Sequence, residues 1–482
     1  MKPLNQKIDP ATLLARWPRE IPVAAAIAGD GVARWSVVGI PSRTVFTLQE
    51  VLATVSAPQP VAFSEEANLN QNQPPFTSGW IGSISYGYGL SLPQNGFAHR
   101  FRTEQLSSRP TGRWEPLVFQ RLDHALAFDH KQNQWWLTGG DGGDGGAILA
   151  KLLQGLKQNA FYPSNPVPTF SIAPPAPQQS RQTYESWVRR ALQYIRAGDV
   201  YQVNLAHHLL APFQGDALSW FAARLAAAAP RYATYISWAH DNQLRVIASL
   251  SPELFLAYDP HRRELQTRPM KGTRLPTQGA REELTLSTKD RAELAMIVDL
   301  LRNDLGCVSE LGSVQVVEPH VIETHGNASQ ASHAENSPPF TESMHHAAVG
   351  ATAPEPPRAV LQAVATIRGT LRKELTITDA LHACFPGGSV TGAPKSRAMQ
   401  IIDEIEPAPR EHYCGSSGFI ADSGSVRLNI NIRTAMIQGV PASPQAFAPG
   451  STLTYPVGAG IVADSDPASE WLETLMKAAP LG

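Results

Sequence analysis

The chain has 482 residues, 43% of them hydrophobic and 17% charged, with a formal net charge of −2. That length buries a substantial core, and the composition is that of a globular protein. The near-neutral balance excludes the basic footprint that nucleic acid or an anionic membrane surface would attract.

The first 162 residues form a region of short β-like runs, such as Ala33–Ile40 and Trp114–Phe119. Gly139 to Gly146 is almost entirely Gly and Asp, a loop by composition, and Ala147–Gln158 has helical apolar spacing. Pro163 to Gln179 is Pro-rich and extended, so residues 163–180 read as a linker before a region spanning 181–482. There helix and strand patterns alternate: helix Tyr184–Ala197 closed by Gly198, strand Val200–Leu209, helix Ala217–Ala229, and strands around Thr234–Trp238 and Arg245–Ser249. Ser287 to Asp290 resembles a capping box that opens a helix running to Asp304. Leu294, Ile297, Val298 and Leu301 form its apolar stripe, with Glu293 at the border. Residues 326–358 are rich in Ala, Ser, His, Pro and Glu without periodicity, and read as a polar surface insertion or mobile loop. His345 and His346 within it lack any partner at ligand spacing. Arg427–Ile432 reads as a strand, and Asp466 with Pro467 opens the last helix. On that helix Glu470, Glu473 and Lys477 share a face, a spacing that by itself describes a solvent-facing Glu–Lys pair.

Cys307, Cys384 and Cys414 have neither metal-motif spacing nor an even count, so buried thiols in a reducing compartment are expected. Lys2, Asn5, Gln6, Lys7 and Asp9 interrupt any leader-like apolar run and no stretch spans a bilayer, which makes the cytoplasm the expected location.

Chemistry concentrates at Lys271, within Arg268-Pro269-Met270-Lys271-Gly272-Thr273-Arg274. A turn framed by Pro and Gly would hold this amine against a ligand as nucleophile, base or counter-ion. Attack at neutral pH requires a lowered pKa, from desolvation or from nearby cations such as the flanking Arg268 and Arg274. Gly387-Gly388-Ser389-Val390-Thr391-Gly392 is not a phosphate loop, because Ala393 stands where the motif demands Lys. It can still offer N–H groups and hydroxyls to a carboxylate. Ser251-Pro252-Glu253 is equally an ordinary helix start.

These segments, together with Tyr201–Leu205, Ile297–Gly306, Pro386–Lys395 and Gly458–Ser465 in this order, resemble the chorismate-utilising enzymes. The resemblance is dense from Tyr184 to Lys477 outside the insertion, and thinner earlier, at Ser78–Gly82 and Tyr86–Gly89. It implies one large α/β (α+β) fold like that of anthranilate synthase component I, two stacked β-sheet subdomains flanked by helices with the site in the cleft. Pro-x-Lys-Gly-Thr is similar to the branch that makes 4-amino-4-deoxychorismate, a precursor of para-aminobenzoate and folate; anthranilate-forming relatives carry Ala at the Lys position. The implied catalytic set is Lys271, Glu253 and Thr273, with Lys271 attacking C2 of chorismate while Glu253 protonates the departing 4-hydroxyl. Ser389, Thr391, Tyr413, Arg433, Gly458, Gly460, Lys477 and Gln202 are the implied substrate contacts. Glu293 and Glu473, with Glu470 as ligand or water holder, are the implied Mg²⁺ site. Water-adding relatives carry Lys where Gln202 stands, and a neutral amide cannot activate water that way. The chain shows no glutaminase nucleophile and no fused lyase, so ammonia is expected from a separate glutamine amidotransferase. Gln362 occupies the place of a family His, and Ala24–Ala28 lacks the carboxylate of tryptophan-regulated relatives. Anthranilate synthesis and a non-catalytic chorismate-binding subunit are the alternatives.

Overall fold

The computed structural model describes residues 1–4, 8–29, 34–55, 73–92, 114–139, 145–157, 169–326, 359–478 and 481. The segment 327–358, nearly all of the expected insertion, lies outside the described residues, as do residues 140–144 of the Gly/Asp loop and 158–168.

Two antiparallel sheets and their covering helices make up the α/β architecture. The larger holds 14 strands among the described residues, running from Lys2–Leu4 at one edge through Ala24–Ala28, Tyr232–His240 and Gln243–Ser251 to Ala446–Ile461 and Gln202–Asp216. The smaller holds 10, including Met270–Arg274, Ala359–Thr370, Leu254–Asp259, Val426–Ile430, Ser416–Ala421 and Gly79–Ile84. Strands from the first 139 residues enter both sheets. Phe170–Ile172 and Ala176–Pro177, from the Pro-rich stretch, pair with the strand Gln202–Asp216.

The period of two along a strand explains how the sheets stack. In Ala24–Ala28 every residue is buried: Ala24 and Ala26 face Ile81, Val118 and Phe419 of the other sheet. Ala25 and Ile27 face the opposite way, into a core with Trp220 and Leu149 from covering helices and Trp17 from the turn after Pro10–Ala15. A third core packs Thr288–Gly306 and Ile377–Cys384 with the smaller sheet, and Arg181–Arg196 and Lys395–Ile405 against the strand Gln202–Asp216 of the larger.

The helix over residues 184–197 runs Arg181–Arg196 with Ser180 as N-cap, and the strand over 200–209 extends over Gln202–Asp216. Ser287 caps Thr288–Gly306 by accepting from Asp290 N, but the Asp290 carboxylate turns to Arg274 and leaves the capping box half made. Asp466 caps Pro467–Met476 as its sequence implies. Cys384 and Cys414 are buried; Cys307 is exposed, because it falls just past the last turn of its helix. Among the described residues no helix is long and apolar enough to cross a membrane.

Candidate active site

Lys271 sits on the strand Met270–Arg274 at the end of the smaller sheet, not on the turn its Pro/Gly frame suggested. Lys271 pairs with Ala363 and Thr273 with Gln362, and the register slips between them. Gly272 makes this bulge: its φ is +68°, and a Cβ would lie 2.7 Å from Leu284 Cδ1 and 2.9 Å from Asp290 Cγ. Glycine alone takes that backbone without cost, so a bulge rather than a turn sets the direction of Lys271.

The Lys271 amine meets the end of the larger sheet. A Cβ added at Gly460 would lie 2.8 Å from Gln202 Nε2, forcing that amide to shift, and would touch Lys271 Nζ at 3.4 Å, so Gly460 stands against both groups. The strand Thr434–Gly439 covers Ala446–Ile461 only at Thr452, Leu453 and Thr454. Among the described residues the same edge of Gly458–Ile461 has no strand neighbour. Lys477, at the end of the helix Pro467–Met476, donates to Gly458 O at 2.9 Å.

Burial is the main force lowering the Lys271 pKa from the usual Lys value; Lys477 adds to it, while Glu293, Glu253 and Glu473 oppose it. The flanking arginines do not contribute in the way their sequence position suggested. Arg268 is committed to Glu323 at 2.6 Å and Thr366 at 3.1 Å, and Arg274 to Glu283 at 2.8 Å and Asp290 at 3.0 Å. Arg268 stands on the preceding strand, Glu264–Arg268, and Arg274, which the bulge returns to the face of Lys271, is tied up by carboxylates of the two helices Ala280–Leu286 and Thr288–Gly306.

Glu253 lies in the link between strands Gln243–Ser251 and Leu254–Asp259, so its Ser-Pro context opens no helix. It is 4% exposed and its Oε1 has no hydrogen-bond partner. Burial pushes its carboxyl up to about 7, with the Ser389 hydroxyl and Lys271 pulling it back. Ser389 is close enough to favour the ionised form, yet its Oγ makes no hydrogen bond of ordinary geometry and stays available to a ligand. Thr391 is committed: its hydroxyl donates within its own loop to Gly387 O or Gly388 O, at 3.1 and 3.2 Å.

Gln202 is fully buried with both amide atoms unpartnered, and Gln362 donates to Thr273 Oγ1 at 3.2 Å while its own Oε1 has no partner. Arg433 is half-buried at a φ of +52°, beside Tyr455 and without a carboxylate partner among the described residues. Tyr413 is buried next to Cys414, whose thiol senses the charge of Glu253.

Glu293, on the helix Thr288–Gly306, has its carboxyl raised by burial and further by the charge of Glu473, while Lys271 and Lys289 oppose this. Glu473 is held by Lys477 at 2.7 Å, the Glu–Lys pair its spacing described, and Glu470 by the Ser465 hydroxyl at 2.6 Å. Among the described residues no group of three His, Cys, Asp or Glu gathers as a metal cage. Two carboxylates that sense each other across an amine do suit Mg²⁺, which keeps several waters and takes further oxygens from an anionic substrate.

Sequence reasoning missed the supports behind this site. Lys395 donates to Asp304 at 2.6 Å and to Cys384 O at 2.8 Å, pinning the helix that follows the Ser389 loop. Glu406 and Arg410 form a second buried ion pair. Pro407 and Pro409 between them rule out a helix pair, and no local pattern in the sequence marks the two as partners.

Residues 31–332 and 354–481 match the profile of the chorismate binding enzyme family, and the chain belongs to that family. It is 35% identical over 443 residues to aminodeoxychorismate synthase component 1 of Klebsiella aerogenes, covering 89% of this chain and 83% of that protein. It is 31% identical to anthranilate synthase component 1 of Thermus thermophilus, covering 93% and 88%. The crystal structure of anthranilate synthase component I from Streptococcus pneumoniae superposes with a TM-score of 0.65 at 23% identity, over 94% of this chain and 93% of that one. The menaquinone-specific isochorismate synthase of Escherichia coli gives 0.63 at 18%, over 99% and 92%. The fold that the sequence implied is therefore that of the anthranilate and isochorismate synthases.

Proposed function

We propose that this chain aminates chorismate at C4, forming 4-amino-4-deoxychorismate with ammonia delivered by a separate glutamine amidotransferase. The observation that carries this reading is the pairing of Lys271 with Glu253 in one desolvated cleft. Burial acts on both in the useful direction, lowering the amine and raising the carboxyl. A neutral amine is a nucleophile and a neutral carboxyl is a proton donor, and covalent displacement of hydroxide needs both.

In this reading the Lys271 amine bonds to C2 of chorismate and the ring double bonds shift. The C4–O bond breaks as Glu253 gives its proton, so that water leaves. Ammonia then bonds to C4, the double bonds shift back, and the bond from C2 to Lys271 breaks. Arg433, a guanidinium without a carboxylate partner, suits a carboxylate of the substrate through its planar fork. Ser389 Oγ and the Gln202 amide are unpartnered donors or acceptors lining the same cleft. Glu293 and Glu473, with Glu470 behind them, would hold Mg²⁺, whose charge offsets a dianion in an acidic setting. Gln202 cannot act as a base, which counts against water addition.

The test is product identification with chorismate, Mg²⁺ and an ammonium salt. Aminodeoxychorismate without pyruvate release is the expected outcome. Anthranilate with pyruvate, the chemistry named for the Thermus relative, would overturn the reading, as would no consumption of chorismate.

A further inference from the structure

Behind the cleft, the Ser389 loop and the strand carrying Gln202 share a buried anchor that takes no part in the bond-making steps. Arg410 and Glu406 are 3% and 8% exposed. Arg410 donates to both carboxylate oxygens, from Nε at 2.8 Å and from Nη2 at 2.6 Å. It also reaches two backbone carbonyls, Val390 O at 2.9 Å and Asn204 O at 2.7 Å. Its guanidinium carbon lies 4.8 Å from the centre of the Tyr86 ring. Glu406 accepts from Ala206 N at 2.8 Å.

The strand Gln202–Asp216 explains why such a pair sits here. On the side away from Ala446–Ile461 it pairs with Gly392–Ala393 at Gln202 and Val203, and Asn204 N donates to Thr391 O at 2.8 Å. Beyond that point this side has no strand among the described residues until Leu209 meets Pro177. Asn204 O and Ala206 N fall in the gap, and buried backbone groups need partners. The guanidinium and carboxylate supply them, one donor and one acceptor, as a neighbouring strand would. The third connection, to Val390 O, ties this edge to the peptide between Ser389 and Thr391. Buried ion pairs contribute little net stability compared with apolar packing, so geometry is the better account of this one.

We propose that Arg410 and Glu406 are positioning residues of the active site, holding Ser389 toward Glu253 and Gln202 beside Lys271 through the carbonyls of Val390 and Asn204. The inference rests on the reading of Glu253 as general acid. Arg410→Lys keeps the charge, but a single ammonium cannot span both carbonyls and both carboxylate oxygens. Glu406→Gln keeps the shape and an acceptor for Ala206 N. Asp216→Asn is the control: it weakens another buried ion pair, with Arg19 at 3.1 Å, at the far end of the same strand.

Each protein is assayed for chorismate disappearance across pH, with KM and kcat separated and the thermal midpoint recorded. Glu253 must be protonated to act, so activity falls as pH rises through its pKa. Ser389 holds that value down; of the other groups facing Glu253, Lys271 is left in place, and the Cys414 thiol, on which Arg410 and Glu406 act in opposite directions, is kept neutral by its burial. Arg410→Lys and Glu406→Gln should lower kcat tenfold or more and move the alkaline limb to higher pH, in the direction given by Ser389→Ala. Asp216→Asn should lose thermal stability while keeping kcat and the limb. Variants with wild-type kcat and profile overturn the inference, as does a loss of kcat that tracks the thermal midpoint with the limb unmoved. If neither single variant folds, the pair Arg410→Met with Glu406→Leu restores apolar packing without the anchors and is judged by the same readouts. A wild-type protein that consumes no chorismate overturns the functional reading instead, so the two failures are distinct.

Discussion

Glu253→Gln should make the protein more stable and less active at once. The carboxyl is carried from its ordinary 4.5 to about 7 by burial, even after the help of Ser389 and Lys271. At about 1.4 kcal/mol for each tenfold step, holding this group ionised in the fold costs about 3 kcal/mol. The sign follows from proton binding. Between pH 4.5 and about 7 the folded protein holds a proton that the unfolded chain has released, so stability falls as pH rises. The full cost is reached above pH 7 and vanishes below the unfolded value. A neutral, isosteric amide removes it. The gain should therefore be about 3 kcal/mol at pH 8 and under about 1 kcal/mol at pH 5, measured by equilibrium denaturation at both pH values. The amide cannot protonate a leaving hydroxyl, so kcat should fall by about 10²-fold or more. A variant destabilised at pH 8, or stabilised equally at pH 5 and 8, would refute the reasoning, because the carboxyl would then be solvated or paired.

Lys271→Arg keeps a cation but removes a usable nucleophile, so turnover should drop at least 10²-fold while the fold survives. Wild-type turnover to the same product would reduce Lys271 to an electrostatic contact. Chorismate supplied without ammonia should leave a mass adduct that maps to Lys271 and is missing from Lys271→Arg. A chelator should abolish activity and Mg²⁺ restore it; Glu473→Gln should raise the Mg²⁺ concentration needed about tenfold or more, seen both in rescue and in Mg²⁺ titration calorimetry with chorismate. An unchanged Mg²⁺ requirement would remove Glu473 from the metal site.

Local patterns in the sequence determined much of this protein. Polar caps and apolar periodicity are short-range signals, which is why the helices opened by Ser287 and Asp466 could be read directly, and the one capped by Ser180 was read by its periodicity from Tyr184 on. The run around Lys271 and the Ser389 loop stood out as candidate chemistry by their residue types, whereas the Glu470–Lys477 face by its spacing described a Glu–Lys pair, which Glu473 and Lys477 form. Tertiary structure decided what those groups are. The bulge at Gly272 depends on pairing with Ala359–Thr370, so Pro/Gly framing alone suggested a turn. Arg268 and Arg274 looked like the cations acting on Lys271, but distant parts of the chain supply each with its own carboxylate, Glu323 and Glu283. The perturbed state of Glu253 comes from desolvation by residues distant in sequence, and the Arg410–Glu406 anchor from a gap in a sheet edge. Burial and pairing are properties of the assembled chain: a sequence specifies which side chains exist, but the dielectric around each is set only when two sheets and their helices close over it.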